Sequence, residues 1–249
     1  RIKFKHCILA TGSRPVKLPK LFKNEEDINS DKVLDSTTAL NLADIPKKLI
    51  VIGGGYIGLE LGTVYAALGS EVTVVEMTEG LLPGADRDLV RPLANKLGEM
   101  FKAIHLNTKV NNITVTKSGV EVEVTGKDVP DKLTADKVLI SVGRRPNSDG
   151  IGLEATQVEI DQFGFVLSDE TCRTRDKRIF SIGDISGQPM LAHRAIRQAY
   201  VAAEVLAGKP SAYDNRCVPA VVFTQPEVAW CGLTETEAKA KNISFSTAK

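Results

Sequence analysis

A glycine-rich loop followed at a set distance by an acid is the part of this chain best suited to chemistry. The loop is Gly53-Gly54-Gly55-Tyr56-Ile57-Gly58, and the acid is Glu76, 21 residues beyond Gly55. The spacing suits a dinucleotide. Gly53 permits a tight turn, Gly55 lets backbone N–H groups approach a pyrophosphate, and Gly58 lets a helix pack closely on a strand. The helix N-terminus that follows offers orphan donors and the positive end of its dipole to phosphate. An acid closing the next strand is placed to accept from a ribose 2′-hydroxyl. A lone Gly-x-Gly-x-x-Gly is weak evidence. Its context makes it specific: a strand at Leu49–Ile52, a helix at Tyr56–Leu68 and a second strand at Glu71–Glu76.

Three further stretches end strands in small or acidic residues, where an open α/β sheet places ligands. Ala10-Thr11-Gly12-Ser13 follows a strand over 4–10, Gly143-Arg144-Arg145-Pro146-Asn147 closes one over 137–143, and Phe180–Asp184 ends in Gly183-Asp184. From residues alone, Thr11–Ser13 reads equally as an ordinary polar turn, and Asp184 as either an acceptor for ligand hydroxyls or a turn aspartate. Met190-Leu191-Ala192-His193 opens a helix whose N-terminus can stabilise negative charge. His193 reads as positional rather than catalytic, because no acid or nucleophile adjoins it in sequence. Glu60, one turn into the first helix, lies near the path of a nicotinamide arm, although a solvated helical glutamate is the simpler reading.

The elements that must position these residues are set by size and periodicity. A length of 249 residues holds one large or two ordinary domains. The net charge of +1, with both signs interspersed, argues against nucleic acid or an anionic membrane surface. No apolar run nears the roughly 18 residues of a spanning helix, and a reducing, cytoplasmic compartment is expected. Cys7, Cys172, Cys217 and Cys231 are scattered, so neither a metal site nor a local redox disulfide is expected, and Cys7 reads as a small core residue. The opening at Arg1 on an apolar strand and the stop at Lys249 read as a fragment of a longer protein.

Periodicity predicts the rest. Ile57, Leu61, Val64 and Leu68 form one buried helical stripe, capped by Gly69. A second helix over Asp86–Phe101 buries Leu89, Leu93, Leu97 and Met100, with Pro92 expected to kink it or delay its start. Residues 109–116 and 119–125 alternate as a hairpin. A helix to Leu206 buries Leu191, Ala195, Ile196, Ala199, Ala202, Ala203 and Leu206. Strands follow over 216–231, without a visible partner sheet, and then a helix start capped by Thr234 with Glu237.

In this order, the blocks at 10–13, 53–60 with Glu76, 143–147, 182–184, 190–193 and Pro226-Glu227-Val228-Ala229-Trp230 resemble the flavin-dependent pyridine nucleotide-disulfide oxidoreductases, along the whole chain. The resemblance implies an α/β fold. A Rossmann-like dinucleotide-binding domain, a parallel sheet with an antiparallel insertion, is set within a partial FAD-binding α/β domain, and the start of an α+β interface domain follows. The implied boundaries are 1–34 and 147–213 for the FAD domain, 35–146 for the NAD domain and 214–249 for the interface domain. Thr11, Gly12, Ser13, Asp184, Met190, Leu191, Ala192 and His193 would lie at the FAD. Gly53, Gly54, Gly55, Tyr56, Ile57, Gly58, Leu59, Glu60, Glu76, Val110 and Gly143 would line the NAD, with Glu60 near the nicotinamide. Glu76 favours NAD over NADP, because Glu76-Met77-Thr78-Glu79 would repel a 2′-phosphate.

The likeness is strongest to members that oxidise dihydrolipoamide on the lipoyl domain of a 2-oxoacid dehydrogenase complex, as homodimers, and pass hydride to NAD+. It also implies that the redox cysteine pair and the catalytic base lie outside these residues, so this chain alone is expected to be inactive. One departure stands out: Gln198-Ala199 occupies positions where such enzymes usually carry a glutamate and a glycine. Two other readings stay open. One is an NAD-binding module without turnover, and the other is a sister flavoenzyme, a soluble transhydrogenase or mercuric reductase.

Overall fold

The strand Lys48–Ile52 shows why this chain forms a sheet with two covered faces. Its residues alternate between two cores. Leu49 and Val51 point toward helices, packing with Leu59, Tyr65, Val72, Leu93 and Leu97. Ile50 and Ile52 point the other way, toward Ile113, Val120, Val122 and Val124. A strand apolar on both faces belongs in the middle of a parallel sheet. In the computed structural model, which describes residues 3–248, that is where it lies. The five parallel strands run in the order Val33–Leu34, Lys137–Ile140, Lys48–Ile52, Glu71–Val75, Ala103–His105. Helices α1 (Tyr56–Ala67) and α2 (Arg87–Met100) make the crossovers on one face. An antiparallel meander of Lys109–Val115, Val120–Thr125 and Lys132–Ala135 covers the other. Each fully buried Leu or Ile contributes roughly 1.5–3 kcal/mol.

Contacts divide the chain into two units, 1–14 with 144–220 and 15–143 with 221–249. These boundaries differ from those read in the sequence. Residues 15–34 pack with the five-stranded sheet, since Phe22 and Val33 are buried in its lower core and Lys23 N donates to Ile113 O at 3.2 Å. So does the segment that follows Ala220: Val222 and Val228 are buried among Leu93 and Leu97. Arg1, Ile2 and Lys249, which the sequence reading assigns to its first and last segments, lie outside the described residues. The larger unit closes on itself, with Val16 N donating to Gly143 O at 3.0 Å. In the smaller unit Asn147 N donates to Gly12 O at 2.9 Å.

The smaller unit pairs Cys7–Leu9 in parallel with Ile179–Ser181 and packs helix α3 (Ala192–Leu206) on a core of Cys172, Phe180, Val201 and Ala202. Cys7 is only partly buried, because its three-residue strand has one neighbour. Burial pushes the Cys172 thiol up to about 11. At about pH 8 it is therefore expected to react with a disulfide reagent roughly a hundredfold more slowly in the folded chain than in the unfolded one. Peptide-resolved labelling checks this, and equal rates would refute it.

Three helical expectations are corrected. In α1 the buried face is Gly58, Leu59, Leu61, Gly62 and Tyr65, while Val64 and Leu68 are 45% and 48% exposed. The helix is apolar nearly all round, so close approach at its glycines chooses the face. A Cβ on Gly62 would lie 3.2 Å from Phe101 Cζ. In α2, Val90 is buried and Leu89 exposed, and Pro92 does not interrupt the helix. In α3 the buried residues are Arg194, Gln198, Val201 and Ala202, while Ile196 is 57% exposed. Among the described residues no helix is long and apolar enough to cross a membrane.

Candidate functional site

The glycine loop leaves the carboxyl end of Lys48–Ile52 and enters α1 at Gly55. Gly53 turns the chain at φ +107, and a Cβ there would lie 2.6 Å from Ser141 O. Gly58 has the tightest fit in the loop: a Cβ would meet Gly53 O at 2.3 Å and Ser141 Oγ at 2.5 Å. Gly55 is the opposite case, with nothing within 4 Å of the Cβ it lacks. No side chain caps α1, so the open side of Gly55 and the dipole end coincide.

Glu76 is 7% exposed and already engaged. Its Oε2 accepts from Gly54 N at 2.5 Å and its Oε1 from Thr78 N at 2.7 Å. Its backbone is fixed as well, through Glu76 N to His105 O at 2.8 Å and Thr108 N to Glu76 O at 2.9 Å. The acid is therefore part of the loop's own architecture before any ligand arrives. Each carboxylate oxygen keeps a further lone pair for a hydroxyl donor.

The other expected residues of this unit fall in different settings. Tyr56, Ile57 and Leu59 are on α1, Tyr56 exposed and Leu59 fully buried. Glu60 Oε1 accepts from Phe223 N at 2.8 Å, so this glutamate ties α1 to the chain's later segment. Val110 is 9% exposed with its side chain in the lower core, which leaves its backbone as the part able to meet a ligand. Gly143 lies at φ +122, open on its Cβ side. Thr78 and Ser141 were not anticipated. Ser141 Oγ donates to Ile52 O at 2.9 Å, and its place just past a strand's apolar run was the available signal.

The smaller unit gathers its own cluster at strand ends. Ser13 Oγ donates to Asp184 Oδ2 at 2.5 Å, while Arg144 Nε donates to Ser13 Oγ at 2.7 Å and Arg144 Nη2 to Ser13 O at 2.7 Å. A hydroxyl receiving an N–H has its proton free to point elsewhere, and here that direction is the carboxylate. Thr11 Oγ1 donates to Asn147 O at 2.8 Å and Asn147 Nδ2 to Thr11 O at 2.9 Å, with Gly12 between them at φ +71. The Arg14 guanidinium beside Asp149 holds that carboxyl below its usual range.

Helix α3 starts after Leu191 with no side-chain cap. Met190 N donates to Gln188 Oε1 at 3.2 Å. Leu191 is partly buried, Ala192 and His193 are exposed, and His193 Nε2 lies 2.7 Å from Pro219 O. Sequence reasoning missed Arg194 and marked Gln198 only as a departure from the family; both are buried and grip the turn bearing Asp184. Their polar types hid them from a search for apolar periodicity.

The profile of the pyridine nucleotide-disulphide oxidoreductases matches residues 1–199, and that of their dimerisation domain matches residues 218–249. The dihydrolipoyl dehydrogenase of Vibrio parahaemolyticus is 45% identical over 248 residues, covering 99% of this chain and 51% of its own length. That of Haemophilus influenzae is 45% identical over 248 residues, with 100% and 51% covered. The chain thus spans about half the length of the curated relatives it matches. Among solved structures, the HOCl-induced flavoprotein disulfide reductase RclA from Escherichia coli aligns with a TM-score of 0.84 at 28% identity, covering 94% of this chain and 53% of that one. LpdA from Mycobacterium tuberculosis aligns with a TM-score of 0.83 at 29% identity, covering 95% and 50%.

Proposed function

The chain belongs to the pyridine nucleotide-disulphide oxidoreductase family, and from that membership we propose that it is the nucleotide-binding portion of an NAD- and FAD-dependent dihydrolipoyl dehydrogenase. When bound, FAD supplies the two-electron chemistry that links a dithiol–disulfide couple to hydride acceptance by NAD+. Identity of 45% to two dihydrolipoyl dehydrogenases supports this member over its sister flavoenzymes. On this reading the substrate is dihydrolipoamide on the lipoyl domain of a 2-oxoacid dehydrogenase complex, and the protein is a cytoplasmic homodimer. The match of residues 218–249 to the dimerisation domain supports the last point.

One observation carries the cofactor assignment: the buried Glu76 carboxylate bonded to Gly54 N in the glycine loop. The open face of Gly55 and the uncapped end of α1 suit a pyrophosphate, and the remaining lone pairs of Glu76 suit a 2′-hydroxyl. A 2′-phosphate would bring like charge against a carboxylate shielded from water. Gly53–Glu60, Glu76, the Val110 backbone and Gly143 would hold NAD.

Thr11–Ser13, Asp184 and the N-terminus of α3 at Met190–His193 would hold FAD. There Arg144 orients the Ser13 hydroxyl toward Asp184 Oδ2, leaving Asp184 Oδ1 to accept from ligand hydroxyls. The domain boundaries read from the sequence enter this proposal with residues 15–34 assigned to the NAD domain and the segment from Val221 onward packed on it. Titration of NADH and NADPH into the protein tests the reading. NADH is expected to bind at least tenfold more tightly, and equal affinities or a preference for NADPH would overturn it.

A further inference from the structure

Two buried polar side chains of α3, one turn apart, grip the short turn that carries Asp184. Arg194 is 7% exposed and Gln198 is 4% exposed. Arg194 Nη1 donates to Gly183 O at 3.2 Å and to Gly187 O at 2.9 Å, and Nη2 donates to Ser186 Oγ at 3.3 Å. Its guanidinium also lies 6.0 Å from the centre of the Tyr213 ring. Gln198 Oε1 accepts from Gly183 N at 2.8 Å and from Ser186 Oγ at 3.2 Å.

Every oxygen that Arg194 meets is neutral. Among the described residues none of the ion pairs includes it. Burying a cation without a carboxylate is costly, and structures normally supply one. Position 198 is the natural place for it. Its side-chain oxygen already occupies the acceptor role beside Arg194, on the same Ser186 hydroxyl. A carboxylate could take that place with almost no change of shape. The chain carries an amide there instead, so the guanidinium charge beneath the Asp184 turn is not neutralised.

The charge has a direction of action. Arg194 is the third residue of α3, and its charge adds to the positive end of the helix dipole. We infer that Gln198, by staying neutral, leaves Arg194 as a fixed positive charge that favours the reduced state of a flavin held at Asp184 and the start of α3. The inference rests on the proposed flavin assignment. Two-electron, one-proton reduction adds one negative charge to a flavin ring, so a nearby cation stabilises the product more than the reactant. Arg194 acts through its field, and Gln198 by leaving that field unopposed, as tuning residues.

The test is a redox titration of the full-length, FAD-loaded protein with dithionite, read from the flavin absorbance. Gln198→Glu keeps the acceptor and adds the missing charge. It is expected to shift the two-electron equilibrium about tenfold against reduction, or about 30 mV to more negative potential. Arg194→Met removes the cation, is expected to shift it the same way, and decides the matter if the first variant does not fold. Gln198→Ala removes the acceptor without adding charge and is expected to leave the potential in place. Two-electron equilibria within twofold of the parent for both charge-changing variants would overturn the inference. So would an equal shift in Gln198→Ala, which would mark a merely structural role. Failure of the parent protein to take up FAD would be a separate result, and would remove the flavin assignment and this inference together.

Discussion

Alanine in place of Gly58 is expected to destabilise the dinucleotide unit by about 2 kcal/mol and to weaken NADH binding at least tenfold. The added methyl would meet Gly53 O at 2.3 Å, Ser141 Oγ at 2.5 Å and Val51 Cγ1 at 3.1 Å. Two of those atoms cannot swing aside: a loop carbonyl is backbone, and Ser141 Oγ is held by its bond to Ile52 O. Overpacking of this kind costs roughly 1–3 kcal/mol. The better helix propensity of alanine offsets up to about 1 kcal/mol. Relief requires α1 to move off the strand, which displaces the helix end from the loop it serves. Gly55→Ala supplies the contrast. At φ −77, with nothing within 4 Å of the new methyl, it should leave stability unchanged and reduce binding alone. Denaturant melts and NADH titrations on both variants check this. A Gly58→Ala protein that melts with its parent would show that the helix is not in close contact there.

The second large effect is expected at Glu76. Removing its side chain strands the buried backbone donor Gly54 N and frees Thr78 N, which sits on an exposed residue and can turn to water. An unsatisfied buried N–H costs about 1–3 kcal/mol, so Glu76→Ala should lose about 2 kcal/mol. NADH affinity should fall by two orders of magnitude or more, because a hydroxyl acceptor and an ordered loop disappear together. Glu76→Gln should fall between, since one oxygen survives while the amide N–H2 is turned on a second donor. Equilibrium unfolding in urea and calorimetric titration separate the two losses. If Glu76→Ala lost affinity at full stability, the carboxylate would be a ligand contact only and the loop would hold its shape without it.

What could be read in advance was whatever follows from local order. Strand, glycine loop, helix, strand and Glu76 stand in sequence, and the structure keeps them adjacent. The Thr234–Glu237 capping box formed as expected, because its bonds span three residues. Reading failed where the deciding atoms come from elsewhere in the chain. Val64 and Leu68 fit a helical stripe as well as Leu59 and Tyr65 do. The choice between them rests on how closely Gly58 and Gly62 approach Gly53, Val72 and Phe101. Periodicity puts Ile196 in the buried face and leaves Arg194 out of it, yet the turn at 183–187 needs donors and an acceptor that only polar side chains provide. The bonds from Gly54 to Glu76 and from Phe223 to Glu60 span 22 and 163 residues, distances over which no periodicity speaks. The strand Lys132–Ala135 is too short to announce itself, and exists because Val120–Thr125 offers it an edge.

The bond between Val16 and Gly143 has a consequence for how such a protein can arise. A stretch whose first and last residues are neighbours can be cut out or pasted in without stretching the chain on either side. Asn147 and Gly12 form the matching join on the host side, so excision would leave two ends already in register. The dinucleotide sheet is thus a cassette. Recombination at two points can exchange it for another with a different nucleotide preference, provided the newcomer keeps the surface on which Val222 and Val228 pack and the acceptor for Phe223 N.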